Sequence, residues 1–358
     1  MGDCISAQGG WTVGLDLGDR QSQLCVLDGS GTVEEEARVA TTPKALRRRF
    51  EGVSALRIVM EAGTHSPWVS RLLGELGHEV IVANPRKVAL ISGNESKTDR
   101  VDAHVLARLG RVDVSLLHPI QHRSAQTLAD RAVLRARDVL VRLRTQAINA
   151  VRGTLKTAGV RMPSGGSSAA FARRAAPHVP EALQPALGGL LEQIATQTEK
   201  IRVYDARVEA LCQASYPQTE QLRQVAGVGP VTSLAFVLSL EDPHRFSSSR
   251  CVGSYLGLRP RRSQSGDRDP ELRITKAGDP DLRRLLVTSA QYILGPHGPD
   301  TDLRRFGERL AARGGKAAKK RAVVAVARKL AVLLHRLWVT GQRYEPLRIA
   351  QAAETKAA

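Results

Sequence analysis

Between Thr12 and Leu109 the chain passes through two apolar runs and one weakly alternating stretch before its first helix signal, and then alternates helix and strand. Thr12 to Gly18 predicts a short strand, Ser22 to Asp28 a second, and Thr32 to Ala40 a third, with Asp28-Gly29-Ser30-Gly31 as the turn between the last two. Thr42-Pro43 predicts a helix start, with Thr42 as N-cap, Pro43 in the first turn, and Leu46 and Phe50 inward. Leu56 to Glu61 then reads as strand, Pro67 to Leu76 as helix, and Glu79 to Ala83 as strand. Asn84-Pro85 stops that strand; Pro85 to Ile91 reads as helical, and Asp99 to Leu109 as a further helix.

A meander followed by two crossovers requires a mixed sheet, with its last two strands parallel. This is the strand order of the ribonuclease-H-like fold. In sheets of this kind ligands gather at the carboxyl ends of strands. Asp16 lies in the first strand and Glu61 ends the fourth, while Asp99 and Asp102 open the last helix. Residues three apart share a helix face, so these two can converge, with Lys97 and Arg100 flanking them. Acids in a first turn are ordinarily explained by the helix dipole. Four acids from three elements at one edge ask for more. Held close, they cannot all stay ionised without a counter-charge. Hard oxygen donors suit Mg²⁺ or Mn²⁺, and an ion pair of that kind supports phosphoryl transfer on nucleic acid. The Gly14-x-Asp16-x-Gly18 run also suits an actin-like ATPase, but the second Asp-Gly-Gly phosphate loop such proteins need is missing.

Charge supports a polyanionic partner. Lys and Arg number 53 against 35 Asp and Glu, a formal net charge of +18. Aromatics are only 4%, so contact with backbone phosphates is favoured over base stacking. Cys4, Cys25, Cys212 and Cys251 are scattered, which fits neither a zinc site nor a disulfide framework and suits a reducing compartment. No run is apolar enough for a membrane span, and no signal peptide is visible. Met1-Gly2-Asp3-Cys4-Ile5-Ser6 matches a loose myristoylation pattern that is short enough to arise by chance.

Ser124 to Thr157 and Leu187 to Cys212 predict two long helices joined by a loop-rich segment from Arg161 to Pro185. Leu128, Ala132, Leu140, Leu143, Ala147 and Val151 make the apolar stripe of the first, and Arg131, Arg135, Arg142, Arg144 and Arg152 its basic surface. Thr198 and Asp205 interrupt the stripe of the second. The pair predicts an antiparallel hairpin or coiled coil that serves oligomerisation and lies along nucleic acid. Further on, Gly227-Val228-Gly229-Pro230 between short helices gives a helix–hairpin–helix pattern, whose Gly227 and Gly229 amides suit a phosphate. Ser247, Ser248 and Ser249 cap the next helix. A basic loop carries Arg259, Arg261, Arg262, Ser263, Ser265 and Arg268; Lys276, Arg283 and Arg284 follow it. Serine among arginines could hold a scissile phosphate and stabilise developing charge. A last helix runs from Ala317 to Trp338, and the tail after Glu345 reads as frayed.

Asp16 in Gly-Leu-Asp, Glu61 in Met-Glu-Ala-Gly, Asn84-Pro85 and Lys97-Thr98-Asp99-x-x-Asp102-Ala103 resemble the RuvC-like domain of the DEDD transposases of insertion-sequence family 110. Gly227-Val228-Gly229-Pro230, Tyr255-Leu256-Gly257-Leu258-x-Pro260, Ser265-Gly266, Thr275-Lys276-x-Gly278 and Leu282-Arg283-Arg284 resemble that family's C-terminal transposase domain. The resemblance spans roughly residues 11–340. It implies an α/β plus all-α chain: a RuvC-like domain over 11–118, a helical spacer over 119–216, a C-terminal domain over 217–345 and a flexible tail over 346–358. It also implies strand exchange in which Asp16, Glu61, Asp99 and Asp102 bind Mg²⁺ and Ser265 attacks DNA, with Ser263 as the neighbouring candidate. The implied partners are donor and target DNA, an element-encoded bridge RNA, and further copies of the chain in a dimer or tetramer. The implied place is the bacterial cytoplasm, at the nucleoid. The alternative is a RuvC-like, structure-selective nuclease that uses water in place of serine. A third reading is a nonenzymatic nucleic-acid scaffold, such as a decayed transposase, against which the intact acid set argues.

Overall fold

The computed structural model describes residues 10–87, 98–266, 268, 270 and 272–348. The chain divides into two compact units, the first ending at Ala125 and the second starting at Gln126.

The first unit is built on a five-stranded sheet: β1 (Thr12–Asp16), β2 (Gln21–Leu27), β3 (Val33–Ala40), β4 (Arg57–Glu61) and β5 (Glu79–Ala83). The order across the sheet is β3-β2-β1-β4-β5. β1 pairs antiparallel with β2 and β2 with β3, whereas β4 lies parallel to β1 and β5 parallel to β4. That is the mixed sheet expected from the element order. Helix α1 (Pro43–Phe50) begins as the Thr42-Pro43 signal predicts: the Thr42 hydroxyl accepts from the Ala45 amide at 3.3 Å. Leu46 and Phe50 are fully buried, and such burial contributes roughly 2–3 kcal/mol per side chain. Helix α2 (Ser66–Glu75) packs against β5 and α1. Residues 85–87 form a turn, and the rest of the helix predicted to Ile91 lies outside the described residues.

Helix α3 (Asp99–Val112) is capped by Thr98, whose hydroxyl accepts from the Val101 amide at 3.3 Å. It lies directly on β1. A Cβ on Gly14 would stand 2.6 Å from the Ala107 amide nitrogen and closer still to the Ala103 carbonyl. Gly110 abuts Val59 in the same way. Small residues on both elements let two backbones touch.

The second unit is helical. Helix α4 (Ala125–Thr157) and, after the short α5 (Phe171–Ala175), helix α6 (Gln184–Ala214) form an antiparallel hairpin. Arg137 pairs with Asp205 at 2.5 Å, and Arg144 donates to Thr198 Oγ1 at 3.3 Å. Near the connection Ile148, Val151 and Leu155 pack with Leu187, Leu191 and Ile194 around Phe171. Three expectations for this hairpin need correction. Leu143, placed on the apolar stripe, is 45% exposed. Thr198 does not interrupt the seam: it is buried, and its hydroxyl donates back to the Ile194 carbonyl at 2.8 Å, which satisfies it inside its own helix. Arg131, assigned to the basic surface, is largely enclosed by an ion pair described below.

Helices α7 (Gln218–Arg223) and α8 (Pro230–Leu240) flank the glycine turn. Every residue from Thr232 to Leu240 is buried, so α8 is the centre of this unit. Around it stand α9 (Ser249–Tyr255), α10 (Pro280–Leu294), α11 (Asp302–Ala311) and α12 (Gly315–Thr340). After α12 the chain returns to the core at Tyr344, and the Pro346 carbonyl accepts from the Asp302 amide at 2.8 Å.

Candidate functional site

The acids of the first unit are placed by backbone register. Leu15 pairs with Met60 in the parallel β1–β4 ladder, so Asp16 and Glu61 end neighbouring strands side by side. Side chains two apart on a strand share a face. Gly14 and Val59 both face α3, and therefore so do Asp16 and Glu61. The helix runs opposite to β1, because Gly110 lies over Thr12 and Val59 while Ala103 lies over Gly14. Its first turn, with Asp99 and Asp102, is thus directed towards the carboxyl edge where Asp16 and Glu61 stand.

Within that turn the two acids differ. Asp99 is exposed, whereas Asp102 is only 6% exposed and its Oδ1 is buried without a hydrogen-bond partner. A buried carboxylate oxygen without a partner is costly. Carboxylates from neighbouring elements, one of them with an orphaned oxygen, have the donor chemistry that suits a divalent cation. As the side chains stand, no three Asp, Glu, His or Cys among the described residues are gathered closely enough to hold an ion. Arg100 is turned away from the edge and grips Glu36 of β3, with 2.8 Å from its Nε to Oε1. His104 also contacts that carboxylate, which sits below the usual range because Arg100 and His104 bond to it. Lys97 lies outside the described residues.

The second group of predicted residues lies on a hairpin-like excursion between α9 and α10. The Thr275 amide donates to the Arg259 carbonyl and the Arg261 amide to the Arg273 carbonyl, both at 2.9 Å. At the far end Ser265 and Arg268 exchange amide–carbonyl bonds of 3.1 Å, so Ser265 opens a tight turn. Gly266 takes the left-handed conformation that this turn needs, at φ 55°. Ser265, Ser263, Arg259, Arg261, Arg262 and Arg268 are all exposed. Arg262 donates to Gln264 at 2.6 Å.

The base of the excursion holds Gly257 and Gly278. A Cβ on Gly257 would run into the backbone at Lys276 and Ala277, and one on Gly278 into the Tyr255 carbonyl. The two loops are therefore interlocked at backbone contact. Arg283 clamps them, its Nη1 donating to the Leu256 carbonyl at 3.0 Å and to the Ala277 carbonyl at 2.7 Å. Lys276 is exposed beside that crossing, with φ at 55°. Arg284 pairs with Asp138 of α4 at 2.6 Å. Gly227 packs under Ser289 and Tyr292 of α10, while Gly229 precedes α8 with open space at its Cβ position.

Asp279 was not singled out by sequence. It caps α10, its Oδ1 accepting from the Asp281 and Leu282 amides at 2.9 and 3.2 Å. Its Oδ2 takes the Arg131 guanidinium at 2.5 Å and the Ser239 hydroxyl at 2.8 Å. Burial pushes this carboxyl up, but the Arg131 charge and the hydrogen bonds outweigh it and hold the pKa at about 2. The Asp-Pro pair at the head of a helix signals the cap. Nothing local signals Arg131, which is 148 residues away.

Comparison with known proteins decides the family. A transposase family model, that of the DEDD type of IS110, matches residues 13–159, and a second, the transposase family of IS116, IS110 and IS902, matches 219–303. The chain belongs to the IS110 family of transposases. It is 28% identical to the transposase of insertion sequence IS1111A of Coxiella burnetii over 344 residues, 93% of this chain and 90% of that one. A probable family 20 transposase of Pseudomonas aeruginosa is 28% identical, with 82% and 86% covered. The transposase of IS1328 of Yersinia enterocolitica is 27% identical, with 79% and 83% covered. Membership in the IS110 family makes this a DNA-processing enzyme, and its DEDD domain implies use of a divalent metal. No helix among the described residues is long and apolar enough to cross a membrane.

Proposed function

We propose that this IS110-family transposase cuts and rejoins DNA strands with Asp16, Glu61, Asp99 and Asp102 as ligands for Mg²⁺ or Mn²⁺ and with Ser265 as nucleophile. The register of Asp16 beside Glu61, under a helix whose first turn carries the orphaned Asp102 oxygen, is the observation that carries the reading. Bound there, a divalent ion supplies Lewis-acid polarisation of a phosphodiester and lowers the cost of deprotonating a hydroxyl. The Ser265 Oγ–P bond forms as the P–O3′ bond breaks, and the proton lost from Oγ balances the one taken up by the departing 3′-hydroxyl. The phosphodiester energy is kept in the serine–DNA link for rejoining. Arginines on the same excursion offset the charge on the phosphorane oxygens. We further propose that a bridge RNA guides the enzyme to donor and target DNA, and that it works as a homo-oligomer at the nucleoid.

Trapping with nicked suicide DNA tests the covalent step. The expected product is a 5′-phosphate adduct on the Ser265 peptide by mass spectrometry, absent in Ser265→Ala. An adduct on Ser263 would move the nucleophile by two residues. Recombination by Ser265→Ala with no serine adduct would overturn the reading in favour of water-driven hydrolysis. Asp102→Asn should lower metal-dependent cleavage by about a thousandfold or more while the melting temperature holds, since it removes charge from a crowded edge. Wild-type cleavage by that variant would remove Asp102 from the metal site.

A further inference from the structure

A concave recess opens at the base of the serine excursion, within the second unit. Four arginines line it: Arg259, Arg261 and Arg262 from the outgoing strand and Arg328 from α12. Pro260, Pro270 and Leu272 form its apolar floor, and no acid is among its described lining residues. None of Arg259, Arg261 and Arg328 has an ion pair among the described residues. Three of these arginines belong to the loop that sequence picked out. The fourth comes from a helix that the function has not yet used.

Arg328 is held in place by a glycine. A Cβ on Gly253 in α9 would stand 2.9 Å from Arg328 Cγ and 3.4 Å from its Nε. The stem of Arg328 therefore lies against the α9 backbone at Gly253, and Arg328 joins Arg259 and Arg261 in lining the recess. A guanidinium whose stem is already packed loses less freedom on binding than a free one. Planar guanidiniums converging on one concave surface are suited to phosphate oxygens, which they bind in bidentate fashion.

The distance to Ser265 decides which phosphate. Ser265 follows Arg261 by four positions, and a fully extended chain of that length spans at most about 14 Å. Phosphates on one strand of a duplex advance about 3.4 Å per nucleotide along the axis. We propose that this recess holds a DNA backbone phosphate within about four nucleotides of the one Ser265 attacks, with Arg328 as one of the guanidiniums that grip it. This deepens the serine reading and rests on it for the position of the scissile phosphate. The recess anchors the strand, and Arg328 is a positioning residue that takes no part in bond breaking.

The test uses the full chain and a duplex copy of the element's own end. Arg328→Ala should weaken duplex binding about tenfold. It should also reduce the slope of log affinity against log salt by about one. Arg328→Lys should keep the slope and recover part of the affinity. Gly253→Ala keeps every charge but displaces the arginine stem, so it should lower affinity with the slope unchanged. Ethylation interference should mark a phosphate within about four nucleotides of the serine-linked one. Ser265→Ala should bind as the wild type does. Wild-type affinity and slope in Arg328→Ala would overturn the proposal, as would a loss confined to RNA with duplex binding intact. Absence of any serine adduct would strike the serine reading and leave the binding result standing.

Discussion

At the acidic edge, Asp16 and Glu61 are carried by the two central parallel strands of a sheet, and Asp102 by a helix pressed onto that sheet through Gly14 and Gly110. At the excursion, Ser265 stands exposed at the tip of a tight turn that it closes with Arg268, and the backbone bonds of Arg259 and Arg261 tie the excursion down at its base. The first arrangement fixes side chains by close backbone contact. The second leaves the proposed nucleophile accessible and places its anchorage at a clamp of Arg283, Gly257 and Gly278 well behind it. The difference follows from the chemistry each region is assigned. Carboxylates proposed to share a metal ion need a stiff frame to be brought together, whereas a group proposed to meet a bulky double helix needs reach.

If that contrast holds, Gly14→Val should be the most damaging change. A branched side chain there has nowhere to go, since both neighbours are helix backbone, and overpacking of this kind costs about 3 kcal/mol or more. Thermal unfolding should show loss or a large shift of the first unit's transition. A variant that melts normally would mean α3 is free to lift from β1, and the stiff-frame account would fail.

Asp279→Ala probes the rear anchorage of the excursion. It leaves the largely enclosed Arg131 without its carboxylate partner and removes the α10 cap, at a cost of about 3 kcal/mol. The same group gives a pH signature. Its folded pKa of about 2 lies below the ordinary 3.8, so the carboxylate contributes stability that is present above pH 4 and lost as pH falls from 4 towards 2. The integrated contribution is about 2 kcal/mol. Acid titration of the melting temperature should show a steeper fall in the wild type than in Asp279→Ala. Parallel curves would show that the pair contributes nothing through its charge.

Gly266→Ala should be the mildest. Nothing crowds its Cβ position, so only the left-handed conformation is penalised, by about 1 kcal/mol. Global melting should barely move, because the tip is exposed. A large destabilisation would show the tip to be packed, and would erase the contrast drawn above.

Much of the first unit was legible because strands and caps declare themselves locally. The five strand spans fall within a residue or two of their predicted limits at most ends, and Thr42-Pro43 caps as expected. Gly14 was legible as part of a glycine–aspartate run but not as the seat of α3, since a close approach depends on which helix returns. The second unit was harder to read. Arg131 looks like one more arginine on a basic helix until Asp279 is folded against it. Leu143 obeys helical spacing yet stays exposed, because in that part of the hairpin ion pairs and arginine stems, not apolar side chains, bridge the two helices. The basic loop around Ser265 was legible in composition, but its two-stranded form depends on backbone pairing between Arg259–Arg261 and Arg273–Thr275.

The Arg131–Asp279 pair has a further consequence in the order of synthesis. Asp279 leaves the ribosome 148 residues after Arg131, a delay of roughly 7–30 s at ordinary elongation rates. The first unit, complete by Ala125, can close before translation reaches α8, while α4 waits with a cation and no counter-ion. A message cut short in that interval would yield a folded acidic sheet bearing Asp16, Glu61, Asp99 and Asp102 but no serine excursion, and such a fragment could compete with the intact chain for whatever the first unit recognises.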